Sequence, residues 1–429
     1  MNNPIRILTC TPKKLLERRR ELTSDDLKVQ VLKVIEAVKK KGDSAILEFT
    51  EKFDGVKLSA KDIKVSNAEI EDAYEKVTGK QVTAIETLKE RLKTVEGALL
   101  ERINFKVELD GVTIYSQLRP IGRVGCYVPG GLASYPSTVV MTVTPAKVAG
   151  VREICICTPP RKKGDIHPLT LVAADICGVQ EIYRVGGAQA IAAMAYGTET
   201  IKPVDKIVGP GGIYVTTAKL IVSKDVAIDF PAGPTEIAVL ADEYADPRLI
   251  ALDMISQAEH GVSGYSILVT DSFSLANRVR KEIEEMLRCA SRKDIIQKAL
   301  NKNGLILVLE DLDRCISFIN EFAPEHVEVM VKNPNKIARK IENAGVILLG
   351  KYSPVAASDY CLGVNHVLPT GGFSKTHSGL SALDFTKRIN VVKCSRDGLL
   401  KVKEIVEVLA RSEGLINHSI SVEGRFIDG

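Results

Sequence analysis

The chain has 429 residues, 45% of them hydrophobic and 26% charged. That length calls for two or three domains with sizeable cores under a soluble surface. Lys and Arg number 58 against 54 Asp and Glu, for a net charge of +4. The densest basic run, Lys13, Lys14, Arg18, Arg19 and Arg20, is broken by apolar residues, so no concentrated patch for nucleic acid forms. No stretch approaches the roughly 18 apolar residues of a membrane span, and the first twenty residues lack the apolar core of a signal peptide. The expectation is a cytoplasmic protein with neither a nucleic-acid nor a membrane partner. Nine cysteines with no C-x-x-C pair argue against a disulfide framework or a Cys-rich zinc site.

The first hundred residues read as helical. Asp25 and Asp26 are placed to cap a helix that runs to Lys41 and closes at Gly42, and Ser66 with Glu69 has the spacing of a capping box. Val82, Ile85, Leu88, Leu92, Val95 and Leu99 recur at three and four residues, which gives one apolar helix face. From about residue 112, β-branched runs alternate with helical segments. Strands are expected at 112–117, 153–157, 181–185, 206–208, 236–240, 265–269, 305–308, 327–331 and 346–349. The intervening helices are expected at 168–177, 188–196, 212–222, 247–260 and 271–289. Such alternation implies parallel sheets with right-handed crossovers. The strands are too many for one doubly wound sheet, so the fold class is α/β with two Rossmann-like lobes, a helical N-terminal region and a small C-terminal tail domain. A loop-rich stretch leads to a last helix, 398–412, and a polar tail, 413–429.

Histidine is the sharpest chemical signal, with six in the chain and four of them in dense polar segments. In Ser256-Gln-Ala-Glu-His260, Gln257 and His260 stand three apart on a helix, so both face one way. Read by itself, that segment also suits a simple helix end capped by Gly261, with His260 favoured by the helix dipole. Phe322-Ala-Pro-Glu325-His326 puts a carboxylate beside an imidazole at a helix-to-strand junction. Such a pair can take protons from water and from an alcohol near neutral pH. The loop 357–372 holds Asp359, Asn365, His366 and two adjacent glycines, too many special residues for a mere connection. Glu413 and His418 lie in the tail. Glycine-rich turns at Pro129–Gly131, Gly186-Gly-Ala-Gln189 and Gly209-Pro-Gly-Gly212 suit phosphates at helix N-termini, although none matches G-x-G-x-x-G.

Taken in order, these segments resemble the histidinol dehydrogenase family from about residue 20 onward. The stretches that carry the resemblance are Gly125-Cys-Tyr-Val-Pro-Gly-Gly131, Gly186-Gly-Ala-Gln-Ala-Ile-Ala-Ala193, Val208-Gly-Pro-Gly211, Ala232-Gly-Pro-Thr-Glu236, Ser256–His260, Phe322–His326 and Asn365–Gly372. The resemblance implies that Gln257, His260, Asp359 and His418 ligate one zinc, with His418 lent by the partner of a homodimer. It implies that Glu325 and His326 are the catalytic pair. Thr235 and Glu413, together with Gln257, His260, His326, Asp359 and His418, would then contact the substrate, histidinol. Tyr127, Gln189 and Gly212 match positions that contact NAD, and Gly212 departs from the family's usual asparagine. His366 falls in the substrate loop with its role left open, whereas Lys375 and His377 read as structural. The implied domains are an N-terminal helical arm, 1–25, and a first lobe made of 26–125 with 234–380. A second lobe, 126–233, and a dimer-crossing tail, 381–429, complete the chain. The implied reaction is oxidation of histidinol through the aldehyde to histidine with two NAD, ending histidine synthesis. Three other readings remain open from the residues alone: a thiol aldehyde dehydrogenase using Cys126, a zinc hydrolase with Glu325 as base, and a two-lobed metal- or solute-binding protein.

Overall fold

In the computed structural model, residues 5–16, 24–130 and 134–426 are described. Arg18, Arg19, Arg20 and Gly131 lie outside them. Two parallel sheets form, as the alternation of strand and helix predicts. The first has six strands in the order Arg6–Leu8, Gly304–Val308, Tyr265–Thr270, Glu236–Ala241, His326–Met330, Val346–Leu349. The second has five, in the order Glu181–Arg184, Glu153–Thr158, Arg123–Tyr127, Lys206–Val208, Ala227–Ile228. Every pairing within these two sheets is parallel. A third, antiparallel sheet joins Phe105–Leu109 and Val112–Pro120 to Thr386–Cys394.

Three expectations are corrected. The N-terminal arm is not wholly helical, because Arg6–Leu8 extends the first sheet beside Gly304–Val308 ahead of the short helix Lys13–Leu16. The helices between 25 and 101 share their cores mainly with the second sheet, and of 234–380 the cluster around Gly79–Glu101 includes Val367 and Leu380 from the loop after the first sheet. Leu27, Val31, Ile35 and Ile46 share a core with Tyr127, Ala190 and Ile191, and Ile70, Ile85, Leu88 and Leu92 share one with Val124, Val139 and Ile156. Their apolar stripes thus cover the second sheet, while the first buries its faces with its own helices. The stretch before the last helix is not a loop throughout, since Thr386–Cys394 pairs along the full length of Val112–Pro120.

Local chemistry explains most of the boundaries. Ser24, not Asp25 or Asp26, caps the helix Asp25–Lys41 by accepting from Leu27 N–H, and the two aspartates sit in its first turn, where the helix dipole favours them. Ser66 and Glu69 form the expected capping box. In Gly79–Glu101 the buried stripe runs Ile85, Leu88, Leu92 and then Glu96, while Val95 is exposed. The last helices, Arg396–Ser412 and Ile416–Glu423, pack on each other. Among the described residues no helix is long and apolar enough to cross a membrane.

Candidate active site

The catalytic candidates gather at the amino edge of the first sheet. Thr235 and Glu236 begin Glu236–Ala241, and Glu325 and His326 begin the neighbouring strand, with His326 registered against Ile237. Gln257 and His260 come from the end of the helix Pro247–Ala258, and Asp359 from the helix Val355–Tyr360. The glycine turns, by contrast, follow the carboxyl ends of strands in the second sheet, where α/β proteins place ligands. The turn 232–235 joins the two regions, because Thr216 at the glycine-turn helix donates to Ala232 O and Thr370 accepts from Gly233 N–H. A cleft of about 490 Å³ opens beside Ile213, Pro234 and Glu236.

Glu325 is buried, and one of its oxygens, Oε2, accepts from the Thr235 hydroxyl at 2.6 Å and from Glu236 N–H at 2.8 Å. Because Thr235 donates its proton there, its oxygen accepts the amide N–H of Gln257. A chain of hydrogen bonds therefore runs from Gln257 through Thr235 to Glu325. Burial raises the Glu325 carboxyl to about 7, against the pull of the His326 charge and of the two donors. His326 is also buried. Its Nδ1 lies 3.1 Å from Glu236 O and 3.5 Å from Glu325 Oε2. A carbonyl only accepts, so Nδ1 carries a proton and aims it at Glu236 O. Nε2 is left 3.5 Å from Asp359 Oδ1, without a hydrogen-bond partner. Burial works to discharge this imidazole, but the carboxylates of Glu325 and Asp359 prevail and raise it to about 9.

His260 lies at the rim, its outer edge exposed, and the bulk around it lowers its pKa. Burial pushes the Asp359 carboxyl up, but His326 and the neighbouring histidines outweigh that and hold it below its ordinary value. His366 donates from Nδ1 to Asp359 O at 3.0 Å and lies 3.3 Å from the Thr138 hydroxyl, which pins the loop behind Asp359. Among the described residues no three His, Cys, Asp or Glu side chains gather as a metal cage. Of the expected ligand set, this centre contains Gln257, His260 and Asp359. His418 and Glu413 stand exposed on the terminal helical pair. Tyr127 is buried at the end of its strand, and its hydroxyl accepts from Gly187 N–H at 3.1 Å. Gln189, 1% exposed, has no hydrogen-bond partner for either amide atom. Gly212 caps the helix Ile213–Val222 in an ordinary extended conformation, with open space where a side chain would go. Cys126 is fully buried, which drives its thiol far above the range of a nucleophile and removes the thiol-enzyme reading. Lys375 and His377 are exposed, and His377 packs its ring edge-on to Phe373.

Two supports could not be read from the motifs. Lys219 and Asp229 form a buried ion pair that grips Gly209 from both sides, with Lys219 donating to its carbonyl and Asp229 accepting its N–H. Gly209 needs that grip and its lack of a side chain, because a Cβ there would collide with Tyr127 O. The second is the carboxyl pair Asp253 and Glu328. Its one sequence signal is a lone charge inside the apolar strand His-Val-Glu-Val-Met.

Fold and site together define a two-lobed α/β protein with a buried Glu–His acid–base centre beside N and O donors. The Histidinol dehydrogenase family model matches residues 17–426. The chain is 46% identical over 422 residues to the histidinol dehydrogenase of Methanocaldococcus jannaschii, covering 98% of this chain and 97% of that protein. It is 44% identical over 408 residues to the histidinol dehydrogenase of Heliobacterium mobile, covering 95% and 96%. The crystal structure of histidinol dehydrogenase from Elizabethkingia anophelis superposes with a TM-score of 0.92 at 36% identity, covering 99% of this chain and 98% of that one. This chain belongs to the histidinol dehydrogenase family, whose members are oxidoreductases.

Proposed function

We propose that this chain oxidises L-histidinol through histidinaldehyde to L-histidine, using two NAD and one zinc, in a cytoplasmic homodimer that completes histidine synthesis. The observation that carries the reading is the joined set of Glu325, His326, Thr235, Gln257 and Asp359 in one centre, the first four in stretches that resemble the family's. The nearest rival, a zinc hydrolase, needs the base but has no use for the unpartnered Gln189 amide beside the glycine turn.

The donor set fits zinc. Gln257 spends its N–H on Thr235 and keeps its carbonyl oxygen, Asp359 is a charged oxygen donor, and His260 is held toward its neutral form. One subunit would supply Gln257, His260 and Asp359, and His418 of a second copy would add a fourth donor. Bound zinc supplies a fixed positive charge that orients the imidazole and amine of histidinol. A dinucleotide fits the second-sheet edge, where Gly187 and Gly212 open helix N-termini and Gln189 awaits a partner. Bound NAD supplies the hydride acceptor for each oxidation.

The chain's own residues then do the following. With Asp359 committed to zinc, the carboxylate charge that raises His326 is offset, which leaves Nε2 of a neutral imidazole, its tautomer set by Glu236 O, to take the alcohol proton in the first oxidation. Glu325, near neutrality because it is buried, takes a proton from the water that adds to the aldehyde. His326 takes the next hydroxyl proton in the second oxidation. Thr235 and Gln257 keep Glu325 aimed throughout, and the closed site retains the aldehyde. Glu413 of the second copy holds the substrate's amino group.

The dimer reading is supported by the tail. Leu400, Ile405, Val408 and Leu409 on one helix and Ile416 and Ile420 on the next are exposed, as are Val391 and Val392 on both faces of the tail strand. A bare apolar surface of this extent is what a second subunit covers. The deciding experiment adds histidinol to purified protein with NAD and follows NADH. Two NADH per histidinol are expected, with loss on chelation and recovery on adding zinc. No NADH from metal-loaded protein would sink the reading.

A further inference from the structure

Glu328 follows His326 by two residues on the same strand, so both side chains leave one face of the sheet. It is 1% exposed. Its Oε1 accepts Val355 N–H at 2.7 Å, while its Oε2 is buried without a hydrogen-bond partner beside Asp253, a half-buried residue of the helix Pro247–Ala258. The charged groups acting on Glu328 are Asp253, which raises its carboxyl, and His326, which lowers it. Two neighbouring carboxylates away from water do not both ionise, so the pair retains one proton, which can bridge Asp253 and the unpartnered Oε2 of Glu328. Burial first, and then mutual repulsion, raises Glu328, and burial raises Asp253.

Asp253, Glu328 and Val355 each lie one structural repeat from a residue of the site. Asp253 is one helical turn before Gln257, Glu328 one pleat beyond His326, and Val355 one turn before Asp359. We propose that the Asp253–Glu328 pair is a positioning element that locks these three elements together and so sets the spacing of Gln257, His326 and Asp359. The proposal rests on the dehydrogenase reading for its substrate, and the pair itself can be observed without it. Its loss should blunt kcat more than KM, because small displacements of reacting groups cost rate before they cost binding.

The test compares removal with conservative replacement. Asp253→Ala and Glu328→Ala should lower kcat roughly tenfold or more, with KM within about threefold. Asp253→Asn and Glu328→Gln each keep a donor in the bond and should recover most of kcat near neutral pH. In the parent protein kcat should fall at alkaline pH, as the shared proton leaves and the carboxylates repel; in the amide variants that limb should move to higher pH. Infrared difference spectra should show a protonated carboxyl band at neutral pH that disappears in Glu328→Gln. Alkaline limbs that superimpose on the parent's, or an unchanged infrared band, would overturn the proposal even if the Ala variants fail to fold. A parent protein that makes no NADH from histidinol would instead defeat the activity reading, and the infrared band would still report on the pair.

Discussion

Around Glu325 and His326 the chain satisfies itself, whereas beyond Thr386 it does not. Glu325 has two donors, His326 has a carbonyl for its Nδ1 proton, and Asp359 is braced by His366. In the tail, Ile405 is 59% exposed and the strand Thr386–Cys394 is bare along nearly its whole length. Both regions carry residues expected in one active site, yet one holds its side chains in a hydrogen-bonded centre with His326 Nε2 left open and the other offers Glu413 and His418 to solvent. The contrast teaches that expected site residues can be held partly at a rigid sheet edge and partly on an element whose apolar surface is left exposed.

The sharpest way to isolate the prepared half is Glu325→Gln. It should cut conversion of supplied histidinal to histidine roughly a thousandfold, because water loses its base. NADH formed per histidinol should fall from two toward one, which single-turnover assays with each substrate measure. If the variant oxidises histidinal at the parent rate while alcohol oxidation collapses, the role of Glu325 in activating water is wrong.

The unfinished half is addressed by Ile405→Glu. A buried unpaired charge in a subunit interface costs several kcal/mol, so this variant should sediment as a monomer and lose activity in parallel. A monomer with full activity would show that one chain carries a complete site. A smaller effect is expected at the cofactor edge. Gly212 has φ −67° and nothing within 4 Å of a would-be Cβ, so Gly212→Asn should fold normally. It should lower the KM for NAD by roughly threefold through about one added hydrogen bond; an unchanged KM would remove Gly212 from the cofactor site.

The smallest effect sits where the body hands over to the tail. Glu96 is buried and accepts Ala382 N–H at 2.6 Å, just before the tail strand begins. Burial raises its carboxyl to about 7, with the nearby Asp384 adding to the rise. A raised acid binds its proton more tightly folded than unfolded, so its contribution to stability is full below the unfolded pKa and is lost as pH rises through about 7. Glu96→Gln should therefore stabilise the protein by on the order of 1–3 kcal/mol above neutrality and by almost nothing at acid pH. Melting curves at both ends of the range would show it, and equal shifts at both would refute the assignment.

How much was legible in sequence follows the same divide. The parallel sheets could be read because their strands are short β-branched runs between helices of regular period. Glu325, His326, Gln257 and Asp359 could be named because each lies in a compact motif. Arg123–Tyr127 was not foreseen as a strand, since Arg-Val-Gly-Cys-Tyr has no alternation and is buried on both faces. Thr386–Cys394 was missed because its exposed, charge-rich run reads as loop until its partner strand is known. Which sheet the N-terminal helices cover was not legible, because an apolar stripe says that a helix is buried and not against what. The support from Asp253 to Glu328 was invisible because its two members are 75 residues apart and meet only through the fold.

The central proposal is that the tail of one copy completes the centre of another, and mixed dimers test it most directly. Glu325→Gln has a defective body with a sound tail, and His418→Ala has a sound body with a defective tail. Each alone should be nearly inactive. Unfolded together and reassembled at random, half the dimers are mixed, and each mixed dimer contains one intact site, so activity should return to about a quarter of the parent's. If the mixture stays as inactive as its components, the tail does not serve a neighbouring subunit.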